Sequence, residues 1–173
     1  MRRRKARAIS GFVRRRAVLV PAAVLVVALG LALQHCSGQR ELTGQARASD
    51  GDSVHLGDTR IRLAGLDAPE LDQICPMPDG TDWACGQAAR AALADLLAAG
   101  PVTCRAQGQD RYGRMIARCS VAGSDLGTSL VQQGLAVSAG DYWTEHLAAR
   151  ARGIGIWQGG FDLPASWRRQ SAP

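Results

Sequence analysis

Lysine is missing from this chain after Lys5, and every later basic residue is an arginine. That absence decides how the net charge of +6 is read. Eight of the 21 basic residues (Arg2, Arg3, Arg4, Lys5, Arg7, Arg14, Arg15 and Arg16) lie in residues 1–33, which hold no acid. The other 13 face all 15 Asp and Glu, a net −2 for the rest of the chain. A broad basic face for nucleic acid is thereby excluded, and phosphate affinity there has to be local and built from arginine. Aromatic residues are also scarce, with two Phe and two Tyr, so Trp143, Trp157 and Trp167 are expected as core fillers. There is no C-x-x-C pair and no internal repeat.

The five cysteines suit an oxidising compartment. Cys36 borders the leader, and Cys75, Cys85, Cys104 and Cys119 allow three disulfide connectivities. Cys75 with Cys85 would staple a loop rich in Pro and Asp, and Cys104 with Cys119 would join two runs that read as neighbouring strands. This pairing is the favoured one. The alternative, a zinc site, is weakened by spacings without a histidine partner.

Residues 1–16 form a basic flank, and residues 17–33 carry no charge, a length near the lower limit for crossing a bilayer. The flank places the N-terminus in the cytoplasm and the domain outside. An uncleaved membrane anchor is the favoured reading, because no A-x-A site follows and His35 before Cys36 makes a poor lipid-attachment box. A long signal peptide is the alternative, and both readings export the domain. Residues 34–41 read as linker, 42–168 as the domain and 169–173 as tail. The membrane is the expected partner of the leader; no obligate protein partner is implied, and the domain is expected to be monomeric.

The chain is organised around residues 50–70, DGDSVHLGDTRIRLAGLDAPE. Val54, Leu56, Ile61 and Leu63 alternate with polar residues about Gly57-Asp58, the pattern of a β-hairpin. A hairpin folds its strand ends together, so Asp52 and Asp67 are expected at one rim with Arg62 and Glu70 close by. Three carboxylates and a guanidinium are a costly way to build plain surface, but they suit a hard cation and a phosphate. One further strand is expected over 42–49. A helix over 84–99 is stopped by Gly100-Pro101. Strands at 102–106 and 115–121 flank the polar turn DRYGR, and helices follow over 126–133 and 144–152. The result is a mainly β (α+β) fold: a five-stranded antiparallel barrel of the oligonucleotide-binding (OB) type with three helices, preceded by the hydrophobic leader helix.

Five motifs, in this order, resemble those of the thermonuclease, or staphylococcal nuclease-like, domain family. They are DGDS at 50–53, IRLAGLDAPE at 61–70, DRYGR at 110–114, LVQQGLA at 130–136 and ARARGIGIW ending at Trp157. The resemblance covers about residues 42–168 and implies a Ca²⁺-dependent phosphodiesterase acting on DNA and RNA. It also implies Ca²⁺ ligation by Asp52, Asp67 and the Ala68 carbonyl, with Glu70 as general base and Arg62 and Arg114 gripping the phosphate. Ala68 stands where the best-known member has threonine, which keeps the carbonyl and removes a hydroxyl. Tyr112 would stack on a base or sugar or only pack, and Asp110 would contact the metal site at a distance or only shape its turn.

The chemistry agrees with those roles on its own terms. Water attacking a phosphodiester builds negative charge on the phosphoryl oxygens, which arginine forks and a cation offset. His55 and His146 read as surface or packing residues. Two rivals remain: a non-catalytic OB-type nucleic-acid-binding module, and an envelope interaction domain. Retention of Glu70 beside two arginines argues against the first.

Overall fold

The structure, a computed structural model, describes residues 40–170. The leader, its cleavage or anchoring, and Cys36 lie outside the described residues, among which no helix is long and apolar enough to cross a membrane. The run expected as one strand is two, β1 (Glu41–Gly44) and β2 (Ala46–Ala48), broken at Gln45. The hairpin follows as β3 (Ser53–Leu56) and β4 (Thr59–Leu63), with Leu56 opposite Thr59 and Ser53 opposite Arg62. Gly57 supplies the left-handed residue that this tight turn needs, at φ +57°. Three two-residue strands come next, β5 (Leu66–Asp67), β6 (Cys75–Pro76) and β7 (Asp82–Trp83), and then the helix α1 (Cys85–Ala98). The long hairpin of β8 (Val102–Gln109) and β9 (Met115–Val121) leads through β10 (Ser124–Asp125) into α2 (Leu126–Gln132). The chain ends with β11 (Val137–Ser138), α3 (Trp143–Arg152), a 3₁₀ turn (Gly155–Trp157) and α4 (Pro164–Gln170).

The main sheet runs β1-β8-β9-β4-β3-β2. Its two end strands are consecutive in the chain, so the sheet curls back toward its own start, the OB-like architecture expected. One face of α1 closes it: Ala89, Leu93 and Leu97, four residues apart, pack onto Val54, Ile61 and Leu63 from the sheet. The disulfides pair Cys75 with Cys85 and Cys104 with Cys119, the latter directly opposite each other in β8 and β9.

Three further details differ from the sequence reading. The strands are not all antiparallel, since β4 runs parallel to β9 with Arg62 beside Ile116. The connection between them contains α1 and β8, which is long enough to reverse direction. There are four described α-helices rather than three. The extra helix α4 is too short to show an apolar period, although Pro164 at its first position is a start signal. Trp143 is not core; it is 57% exposed. Trp157 does pack, in a small second cluster with Cys75, Cys85, Val137 and Ile156 that pins the C-terminal segment to the domain.

Candidate active site

Asp52 is fixed by its own turn and by the hairpin. Its N–H donates to Asp50 Oδ1 at 3.0 Å, and its carbonyl accepts from the Leu63 N–H at 2.8 Å. Gly51 between them is squeezed: a Cβ there would lie 2.7 Å from the methyls of both Ala68 and Ala89. The absence of that Cβ lets the DGDS turn, the DAPE loop and α1 meet at one point. Asp67 is held by β5 pairing with β11, opposite Val137. The two carboxylates are buried, with exposures of 4% for Asp52 and 7% for Asp67.

Between them lies Arg62. Its Nη2 sits 2.7 Å from Asp52 Oδ2 and 2.6 Å from Asp67 Oδ1, and its Nη1 donates to Asp52 Oδ1 at 2.9 Å. Burial pushes the Asp52 carboxyl up to about 7, against the pull of Arg62, with Asp50 adding to the rise and bonds from Ser53 and the Ala68 N–H opposing it. A carboxylate raised in the fold loses stability as pH climbs from its ordinary 3.8 through about 7. Without a cation, this group is therefore expected to make the protein more stable near pH 5 than near pH 8. Urea midpoints at the two values, compared with those of Asp52→Asn, check this.

Glu70 is positioned by residues that no motif flagged. Gln73, fully buried, accepts the Glu70 N–H on Oε1 at 3.2 Å and donates Nε2 to the Asp162 carbonyl at 2.7 Å. The Gln73 N–H also donates to the Glu70 carbonyl at 2.8 Å. That carbonyl is packed so closely against Gly86 of α1 that a methyl there would overlap it. Gln73→Ala would leave the Glu70 N–H and Asp162 carbonyl unpartnered and is expected to cost about 1–3 kcal/mol in urea unfolding, with activity lowered as well.

The DRYGR turn meets the hairpin through Ser53. Arg114 Nη1 donates to Ser53 Oγ at 3.3 Å, and Ser53 Oγ donates to Asp52 Oδ1 at 3.0 Å. Asp110 shapes the turn, accepting the N–H groups of Tyr112 and Arg114 on Oδ1, and holds Arg114 Nε on Oδ2 at 2.7 Å. Tyr112 is 60% exposed at the tip, with the guanidinium of Arg111 4.8 Å from its ring centre. His146 is a packing residue whose Nδ1 accepts the Ser138 N–H at 3.0 Å. His55 is half-buried in β3.

One further residue enters the site from α4. Arg168 donates through Nη1 to Asp67 Oδ1 (3.0 Å) and Glu70 Oε1 (2.6 Å), and through Nη2 to Asp67 Oδ2 (2.9 Å). Acids and arginines thus alternate in one line, Asp52–Arg62–Asp67–Arg168–Glu70. Only the tail sequence ASWRRQ could have signalled it, and nothing there says which arginine turns inward.

The donor set fits a hard cation in part. Asp52 and Asp67 are close enough to share one nitrogen, Ala68 lies between them and Glu70, and all three are buried. Among the described residues no group of three or more His, Cys, Asp or Glu gathers as a metal cage, so water would complete an oxygen shell of six to eight.

Residues 60–159 match the family model described as "Staphylococcal nuclease homologue". Succinoglycan biosynthesis protein ExoI of Rhizobium meliloti (strain 1021) is 36% identical over 140 residues, covering 76% of this chain and 73% of that protein. Protein ParB of Escherichia coli is 30% identical over 154 residues, covering 76% of this chain and 81% of its own.

Proposed function

Since the chain belongs to the staphylococcal nuclease homologue family, we propose that it is an exported, Ca²⁺-dependent nuclease that hydrolyses phosphodiester bonds of DNA and RNA. The observation that carries this reading is Arg62 held between two buried carboxylates, with Glu70 and Arg114 on the same rim. A plain structural ion pair has no use for a third, half-exposed carboxylate beside a second arginine.

Asp52, Asp67 and the Ala68 carbonyl would hold the cation, which when bound supplies positive charge against the phosphoryl oxygens. Arg62 and Arg114 would hold the non-bridging oxygens; arginine suits this because its planar fork stays charged and matches two oxygens at once. Glu70 would take the proton of the attacking water on Oε2, since Oε1 carries Arg168. Tyr112, exposed beside Arg114, would stack on a base or sugar. The basic flank and apolar stretch of the leader support export with the domain held at a membrane or released.

Cleavage of single-stranded DNA and RNA oligonucleotides by the full-length chain, with Ca²⁺ and with chelator, tests the proposal. Binding without cleavage would favour the non-catalytic module instead.

A further inference from the structure

Arg168 lies beyond residues 60–159, the part matched by the family model, and makes three charge-assisted bonds inside the site. We propose that Arg168 is a third phosphate-binding arginine, kept on Asp67 and Glu70 until a cation claims the Asp67 carboxylate. The inference rests on the nuclease reading given above.

Charge is the first argument. With Asp52 ionised, the line Asp52–Arg62–Asp67–Arg168–Glu70 sums to −1 in the cation-free protein, and both oxygens of Asp67 are taken by guanidinium. A divalent cation on Asp52 and Asp67 turns the sum to +1 and removes two of the three bonds of Arg168. Glu70 Oε1 alone cannot satisfy a fork of this geometry. One phosphodiester, carrying −1 and non-bridging oxygens that each accept more than one bond, restores neutrality and supplies the missing acceptors beside those used by Arg62 and Arg114.

Position is the second argument. The Arg168 side chain is 41% exposed, so part of its fork already faces solvent. A cleft of roughly 560 Å³ opens at Asp67, the carboxylate that holds Arg168, and is lined also by Trp143, Arg150, Trp157, Phe161 and Ala165, with room for a nucleotide next to the scissile one. Anchoring α4 does not require this arginine. Pro164 is buried, Trp157 and Phe161 pack just before the helix, and Gln73 binds the Asp162 carbonyl. An anchor would have no reason to sit on a metal ligand and a base together.

The test is binding rather than turnover. The full-length chain carrying Glu70→Gln, which keeps an acceptor for Arg168, is titrated with labelled oligothymidylate in Ca²⁺ at several salt concentrations. Adding Arg168→Ala is expected to weaken binding about tenfold, as lost charge-assisted hydrogen bonds do. It should also flatten the slope of log K against log salt by about 0.7, the value for one phosphate contact to a single strand. Arg168→Lys should keep the slope and recover only part of the affinity. Unchanged slope and affinity in Arg168→Ala, with Arg168→Lys also unchanged, would overturn the proposal and leave Arg168 a helix anchor. If the Glu70→Gln parent binds no oligonucleotide at all, the nuclease reading fails, and this assignment with it.

Discussion

Glu70→Gln is expected to lower kcat on single-stranded DNA by about 10²-fold or more, with KM changed far less. The substitution keeps the size of the side chain and an oxygen for Arg168, and the backbone bonds to Gln73 do not depend on it. What it removes is the capacity to take a proton from water. The fold, the cation ligands and the phosphate-binding arginines stay, so binding should persist while the chemical step fails. An unchanged kcat would end the assignment of Glu70 as base. Arg62→Ala is a poorer first test, although its effect on rate should be as large. Arg62 is ion-paired with both Asp52 and Asp67, which are buried, and removing one partner of such a set costs about 3–5 kcal/mol. A dead Arg62 variant would then mix lost chemistry with lost folding.

Chelation should abolish cleavage altogether and also lower the melting temperature. A cation present at a hundred times its dissociation constant stabilises the fold by about 2.7 kcal/mol, roughly a 10 °C rise for a domain of this size. The source of that linkage is visible in the site. Asp52 and Asp67 are desolvated and satisfied mainly by arginines, which a divalent cation would relieve of that task. Calcium should give the shift in the wild type and lose it in Asp67→Asn. Cleavage that persists in chelator, together with no Ca²⁺-dependent shift, would sink the metal-dependent reading and leave the family membership intact.

The hairpin was legible because its signals are local. Alternation with a period of two and a glycine at the turn fix which side chains face inward and which strand ends meet, so Asp52, Arg62 and Asp67 were bound to share a rim. The helix α1 was equally readable from its run of Ala and Leu. The DRYGR motif announced Arg114, but its contact with Ser53 depends on β9 running beside β4. That pairing is parallel, where an antiparallel barrel was expected.

Other features had no sequence signature. Gln73 looks like any polar loop residue until it is found fully buried, joining its neighbour Glu70 to Asp162, which lies 89 residues beyond Gln73 in the chain. Trp143 is expected inside because the chain has few other aromatic fillers, yet it stands exposed at the start of α3. Arg168 is 101 residues from Asp67, and only the packing of the C-terminal segment decides that it, rather than Arg169, turns into the site. By itself the sequence determined the fold class, the hairpin and the chemical character of the rim, because these follow from periodicity and from residues near one another in the chain. Tertiary structure alone decided how the charges at that rim are paired. Those pairings join residues far apart in the chain, and no local pattern encodes which distant guanidinium packing will bring to a buried carboxylate.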